Sequence, residues 1–172
     1  TKNFAGLEAH FAALVADPVP LVSGKPKALA PYWAFRDLFN DRYTPLVDRY
    51  GLIRSWRAAA PESVYVSLVE ARYWYAAGWA ARGGTYARDV KPDAWEPFRE
   101  NLEKAMTVLR HSPEALKNTP LWYHLLLVVS QDMERPTYDP EEIFAVAVAR
   151  WPRYYSFYEG RAARLQPKWG GS

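Results

Sequence analysis

The residues of this chain that could do chemistry are few and widely separated. Its three histidines are His10, His111 and His124, and none of them sits in a metal-binding spacing such as His-Glu-x-x-His. The chain has no cysteine, which excludes thiolate nucleophiles, disulfides and thiolate metal ligands. The nucleophile motif Gly-x-Ser-x-Gly and the glycine-rich phosphate loops are also missing. The sequence therefore predicts no catalytic residue, no metal site and no cofactor.

Glu70 and Arg72 are the conspicuous charges of an otherwise apolar segment, residues 62–84. A buried charge is costly unless it is paired, so we expect both residues to form ion pairs with neighbouring helices. The alternative is a ligand-binding pair on a concave face. An enzyme would need Glu70, Arg72 and His124 to surround one cavity, with their pKa values perturbed.

His124 belongs to a strongly apolar helical segment. On its helical wheel His124 falls on the side of Tyr123, Leu127 and Gln131. The apolar arc of the same wheel carries Leu121, Trp122, Leu125, Val128 and Val129. We therefore expect His124 to lie beside the core, as an exposed or hydrogen-bonded residue. The alternative is a position in a groove that faces a partner.

The segment 150–168 combines basic residues with aromatic rings. Its basic residues face a single acidic one, Glu159, and are Arg150, Arg153, Arg161, Arg164 and Lys168. Its aromatic residues are Trp151, Tyr154, Tyr155, Phe157 and Tyr158. Arginine with tyrosine and tryptophan is typical of protein interface hot spots and of single-stranded nucleic-acid platforms. The alternative is a basic face that is merely solvated.

A helical wheel of this last segment separates the rings from the charges. It places Tyr154, Tyr158, Ala162 and Leu165 on one core stripe, with Arg153 and Arg164 outside it. The chain as a whole holds 22 basic and 19 acidic residues, a balance that is too even to indicate nucleic acid. The candidates for contact with a partner are Arg72, His124, Gln131, Arg153, Arg161 and Arg164.

Helical patterns account for the elements that must position these residues. Apolar residues at helical spacing predict a first helix that Pro18 closes. Residues 18–31 hold four prolines and a glycine, which predicts an ordered loop before a short helix near 32–39. Three helix pairs follow, at roughly 44–83, 92–133 and 139–167. The segment 62–84 is apolar on two stripes, which predicts a central helix.

Capping signals mark where several of these helices begin or end. Pro61 predicts the start of the central helix, and Gly83 with Arg82 before it predicts its end. Thr119 followed by proline and Asp139 followed by proline predict two further helix starts. Pro152 separates the last two helices of the chain.

Two stretches of the chain resemble each other. AAAPESVYVSLVEARYWYAAGWAARGG and VARWPRYYSFYEGRAARLQPKWGG each run from an alanine-rich helix end through proline into an aromatic helix. Paired helices with a period near forty residues predict an all-α protein, with antiparallel helix pairs stacked as a short tetratricopeptide-like α-solenoid. We expect a single domain, 1–172, in which 1–43 form a helix, loop and short helix and 44–172 form the three pairs.

The stretches PESVYVSLVEARYWYAAGWAARGG and RWPRYYSFYEGRAARLQPKWGGS carry a family resemblance. They resemble a bacterial family of unknown function in which a tetratricopeptide-like helical region precedes a Trp-Gly-Gly-Ser motif. The likeness covers about 44–172, and its residues include Trp79, Arg82, Gly83, Pro152, Pro167, Trp169, Gly170, Gly171 and Ser172. It implies a helical fold and a bacterial source, and no catalytic residues. In similar proteins the chain continues past this serine, so we expect a truncation there.

The end of that motif has two interpretations. We expect Pro167 to end the last helix and Trp169 to dock against aromatic neighbours, with the two glycines allowing a tight turn. The alternative is a frayed end. At the other end the chain begins at Thr1, and we expect a processed protein or an excised fragment.

The sequence favours binding over catalysis. We expect a non-catalytic protein-interaction module, acting as an adaptor, a scaffold or an immunity-type protein, whose partner is a protein or peptide and not nucleic acid. The alternatives are an enzyme with an unrecognised pocket and a binder of an acidic ligand through the basic aromatic segment. The longest apolar run, LLLVVS, is too short to span a membrane, so we expect a soluble protein of the bacterial cytoplasm or periplasm.

Overall fold

Helices form all the regular structure of the residues described by the computed structural model, which are 3–23, 25–40 and 46–165. The helices are α1 Phe4–Ala16, α2 Ala30–Asn40, α3 Leu46–Ala59, α4 Val64–Arg82, α5 Trp95–Arg110, α6 Glu114–Lys117, α7 Pro120–Asp132, α8 Pro140–Arg150 and α9 Ser156–Arg164. Single 3₁₀ turns lie at Lys27–Leu29, Ala87–Asp89 and Pro92–Ala94. The all-α prediction is confirmed, and the short α6 was not expected from the sequence.

Helix α4 lies at the centre of the molecule, as its two apolar stripes predict. It packs most extensively along α5, and it also contacts α2, α3 and α7. Gly78 allows the close approach to α5, because a Cβ atom there would lie 3.3 Å from the carbonyl oxygen of Phe98. In a solenoid each repeat contacts its neighbours along the stack, whereas α4 is covered from several sides. The solenoid arrangement therefore stays a prediction that this packing does not confirm.

The buried residues form two clusters on either side of α4. The first is rich in aromatic rings and consists of Phe11, Phe35, Phe39, Ile53, Trp56, Tyr65, Val66, Val69, Tyr73 and Ala76. The second is rich in leucine and draws on α4, α5, α6, α7, α8 and α9. The second cluster includes Tyr32 of α2, which brings the first half of the chain against α7 and α9.

The predicted helix ends agree with the structure except at Pro61. Thr119 and Asp139 cap α7 and α8 by accepting hydrogen bonds from backbone N–H groups, and Gly83 ends α4 with φ +79°. Helix α4 begins at Val64 and not at Pro61. The reason is Ser63, whose extended backbone and side-chain oxygen cap the N–H of Val66.

The wheel prediction for the last helix is wrong. Tyr154 is buried, but Tyr158 and Leu165 are 41% and 61% exposed and Ala162 is also exposed. A turn at 152–153 delays α9 to Ser156, so Tyr154 does not share the helical phase of the later residues. Phe157 is the ring of α9 that enters the core. The motif residues Pro167, Trp169, Gly170, Gly171 and Ser172 lie outside the described residues.

Candidate binding clefts

Arg72 of α4 is a buried cation. The residue is 5% exposed, and its Nε and Nη1 atoms have no hydrogen-bond partner among the described residues. Its guanidinium instead faces two rings, at 5.8 Å from the centre of Tyr32 and 5.0 Å from that of Tyr75. The predicted ion pair of Arg72 is therefore wrong. Tyr75, three residues after Arg72 on the same helix, was a local signal for one of these rings, whereas Tyr32 comes from α2 and left none.

Glu70, two residues earlier, forms the ion pair that the sequence predicts. Its carboxylate accepts hydrogen bonds from the guanidinium of Arg57 and, at 2.9 Å, from the hydroxyl of Tyr50. Burial, followed by this bond to Glu70, raises the pKa of Tyr50 to about 12. Glu70 thus joins α4 to α3 and lies apart from Arg72.

His124 of α7 is buried, so its predicted position beside the core is wrong. Its ring stacks on Tyr32 at 4.3 Å between centres, and its Nδ1 lies 3.4 Å from the hydroxyl of Tyr154. Burial, with a smaller contribution from the charge of Arg72, lowers the pKa of His124 to about 4. The wheel of α7 could not show that α2 and α9 cover this side of the helix.

Tyr32 and His124 line an open cleft of about 450 Å³ between α2, α7 and α9. We call it the Tyr32 cleft; it is lined by Lys25, Tyr32, Trp33, Arg36, His124, Ser156, Glu159 and Gly160. Lys25 lies over the ring of Trp33 at 5.1 Å and 3.5 Å from the carboxylate of Glu159. Arg72 is not in the lining. Its guanidinium lies 5.8 Å from the ring centre of Tyr32, which is in the lining.

Asp132, at the end of α7, is the buried carboxylate that sequence reasoning missed. Its side chain is 3% exposed and pairs with Arg164 of α9. It also accepts hydrogen bonds from the Tyr75 hydroxyl at 2.7 Å and from Trp79 Nε1 at 2.9 Å. A carboxylate at a helix C-terminus is unfavourable for the helix dipole, which was the signal that it needs donors elsewhere.

This network assigns structural contacts to several residues that the sequence singled out. Arg164 is half-buried and pairs with Asp132, a contact that the sequence did not predict. Arg161 pairs with Glu141 and lies over a ring of α8. Arg82 donates to the carbonyls of Gly83 and Thr85, and it lies over the rings of Trp79, Trp95 and Phe98. Gln131 is half-buried on α7 and lines neither the Tyr32 cleft nor the second cleft, which is described next.

A second cleft, of about 540 Å³, lies where the end of α1, the start of α7 and the link between α8 and α9 meet. We call it the Arg150 cleft; its lining consists of Val15, Asp17, Pro18, Pro26, Ala28, Asn118, Thr119, Pro120, Arg150, Trp151, Pro152, Arg153 and Tyr154. Most of these side chains are apolar. The basic aromatic segment thus contributes Arg150, Trp151, Arg153 and Tyr154 to this lining, and the motif residue Pro152 lies among them.

Arg150 is held in place by neutral groups. Its two Nη atoms donate to the Tyr123 hydroxyl at 3.3 Å and to the side-chain oxygen of Asn118 at 3.1 Å. The guanidinium lies 4.4 Å from the ring centre of Trp151. The one carboxylate of this lining, Asp17, is already paired with Lys27 at 2.6 Å, and that bond lowers the pKa of Asp17. The rim of the cleft thus presents arginine charge that no carboxylate neutralises among the described residues.

The described part of the chain contains no group of three histidine, aspartate or glutamate side chains placed to hold a metal ion. Among the same residues no helix is both long enough and apolar enough to cross a membrane.

Comparisons with protein-family models, with curated proteins and with solved structures find no match. The resemblance drawn from the C-terminal motif therefore stays a prediction.

Proposed function

We propose that this protein is a binding module that holds an acidic, partly apolar segment of another protein in the Arg150 cleft. The observation that carries the proposal is the positioned guanidinium of Arg150, which is bonded only to neutral groups at the rim of a mostly apolar cleft. Arginine beside tryptophan and tyrosine is the composition of interface hot spots. An adaptor, scaffold or immunity-type role fits such a module.

Charge and shape favour a peptide segment as the occupant. Arg150 and Arg153 supply two cations at the rim, while Lys27 neutralises Asp17. The walls between them are formed by prolines, Val15 and Trp151, which suit apolar side chains. An extended segment that alternates acidic and apolar residues would satisfy both surfaces. A stack of helix pairs, if the solenoid prediction is correct, would offer such a segment a longer concave face.

The enzyme alternative has less support from the site geometry. It required Glu70, Arg72 and His124 around one cavity. Arg72 and His124 do lie close to the same residue, Tyr32, but Glu70 is bonded to Arg57 and Tyr50 on another side of α4. The enzyme alternative stays a hypothesis.

Panning a phage-displayed library of random peptides on the immobilised protein tests this proposal. We expect the enriched peptides to carry aspartate or glutamate near leucine, phenylalanine or tryptophan. Their affinity, measured by fluorescence polarisation, should fall several-fold when salt is raised, because the rim charges are exposed. Enrichment of no sequence, or of basic ones, would contradict the proposal.

Variants of the rim locate the binding. Arg150→Gln and Arg153→Gln should each weaken an enriched peptide by roughly fivefold, a typical cost for a rim arginine. Arg110→Gln is the matched control, because Arg110 is an exposed arginine at the end of α5 and lines neither cleft. Equal affinities in all three variants would place the peptide elsewhere and overturn the assignment of the Arg150 cleft.

A further inference from the structure

We propose that the Tyr32 cleft is a second site, which binds a small anion that carries a flat ring, such as an aromatic carboxylate or an aryl phosphate. The proposal rests on a cleft of about 450 Å³ that is lined by two cations and three aromatic rings, with the buried guanidinium of Arg72 5.8 Å from one of those rings, Tyr32. It is independent of the function proposed for the Arg150 cleft, with which it shares no lining residue.

The charge argument begins with Arg72. An arginine stays protonated at every relevant pH, and a buried cation without a partner is costly. The two tyrosine faces compensate only part of that cost. The charge of Arg72 also reaches the cleft lining, since it contributes to the lowered pKa of His124 and opposes the rise that burial causes in the pKa of Tyr32. An anion in the cleft would therefore be attracted to the part of the lining that Tyr32 and His124 form.

Two more cations line the cleft itself. Lys25 lies 3.5 Å from Glu159, and Arg36 lies 2.9 Å from Asp37, both in exposed ion pairs. Exposed pairs of this kind contribute little, so a bound anion can exchange with their carboxylates. Counted with Arg72, three cations and two carboxylates surround the site, which leaves a positive excess.

Aromatic surfaces argue that the anion carries a ring. Tyr32, Trp33 and His124 all line the cleft, and Tyr32 and His124 stack on each other at 4.3 Å between ring centres. Because the pKa of His124 is about 4, its imidazole is neutral near pH 7 and behaves as one more aromatic surface with a polar edge. The volume is in the range of small-molecule sites. A ring against these side chains, with its anionic group toward Lys25 and Arg36, uses both the aromatic and the cationic part of the lining.

Calorimetric titration with four probes tests the ligand class. Benzoate and phenyl phosphate combine ring and charge, benzyl alcohol has only the ring, and inorganic phosphate has only the charge. We expect both ring-bearing anions to bind roughly tenfold or more tightly than the two controls, a difference that corresponds to one additional charged contact. Absence of binding by both anions, or equal binding of benzyl alcohol, would overturn the proposal.

Two pairs of variants test the location. Arg72→Met should weaken both anions by about fivefold or more, whereas Arg54→Met, at an exposed arginine of α3, should not. Gly160→Trp should fill the cleft from α9, where a Cβ atom meets open space. Gly51→Trp is its control, since Gly51 is also helical and also open.

The two variant pairs change different helices, α4 and α9, so the test does not depend on one of them folding. If Arg72→Met is unfolded, Gly160→Trp decides the matter. Wild-type affinity in a folded Arg72→Met, or in Gly160→Trp, would show that the anions bind elsewhere and would overturn the site.

Discussion

Two buried charges of opposite sign contact Tyr75, one at its hydroxyl and the other at its ring, and their surroundings differ. Asp132 accepts hydrogen bonds from Tyr75 and Trp79 and pairs with Arg164. Arg72 faces the ring of the same Tyr75 and has no hydrogen-bond partner for its Nε and Nη1 among the described residues. Removing a buried charge that has all its partners destabilises a fold, whereas a buried charge without partners is itself destabilising. We infer that the Asp132 side serves the fold and the Arg72 side serves binding.

The largest effect should come from breaking the Asp132 side. Asp132→Ala removes the acceptor of three donors and leaves Arg164 half-buried without its carboxylate. The free energy of unfolding should fall by about 3 kcal/mol, at the lower end for buried pairs because Arg164 is partly exposed. Chemical denaturation measures the loss. Glu134→Ala, at an exposed neighbour, is the control, and a similar loss in both variants would show that Asp132 is not special.

Lowering the pH should destabilise the folded protein, because the buried His124 near Arg72 resists protonation. The pKa of His124 is about 4 in the folded protein and near 6.5 in the unfolded chain, so the unfolded chain binds the proton first as the pH falls. The contribution of neutral His124 is complete above pH 6.5 and is lost as the pH falls toward 4, with about 2 kcal/mol gone by pH 5. The melting temperature of His124→Phe should change less between pH 7 and pH 5 than that of the wild type. An equal slope in both proteins would mean that His124 titrates normally.

The helices were predictable from the sequence because their signals are local. Thr119 and Asp139 cap helices next to them in the chain, and the two stripes of 62–84 predicted a buried helix. Glu70 was predictable as a paired charge on an apolar helix. The prediction for α4 succeeded because its two apolar stripes indicate burial on several sides without saying which helices cover them.

The clefts were not predictable, because their residues meet only in three dimensions. His124 is buried by α2 and α9, which the wheel of α7 does not contain. Asp132 finds its donors 57, 53 and 32 positions away along the chain, at Tyr75, Trp79 and Arg164. Arg153 was predicted from the composition of its segment, but the other walls of the Arg150 cleft include residues of α1 and α7.

A smaller change should separate the two roles of Tyr75. Tyr75→Phe removes the hydroxyl donor to Asp132 and keeps a ring beside Arg72. The free energy of unfolding should fall by about 1 kcal/mol, the usual value for one hydrogen bond when the acceptor keeps other donors. Anion binding in the Tyr32 cleft should stay within twofold of wild type. Tyr158→Phe, at an exposed tyrosine, is the control for loss of a hydroxyl.

Urea unfolding of Arg72→Met tests most directly whether Arg72 destabilises the free protein. Methionine keeps an apolar side chain between the two rings and removes the unpaired charge, so unfolding should cost about 1 kcal/mol more than in wild type with an unchanged urea dependence. Arg82→Met should change in the opposite direction, because Arg82 donates to two carbonyls. A midpoint for Arg72→Met that falls below wild type would contradict the assignment, since Arg72 would then stabilise the fold as Asp132 does.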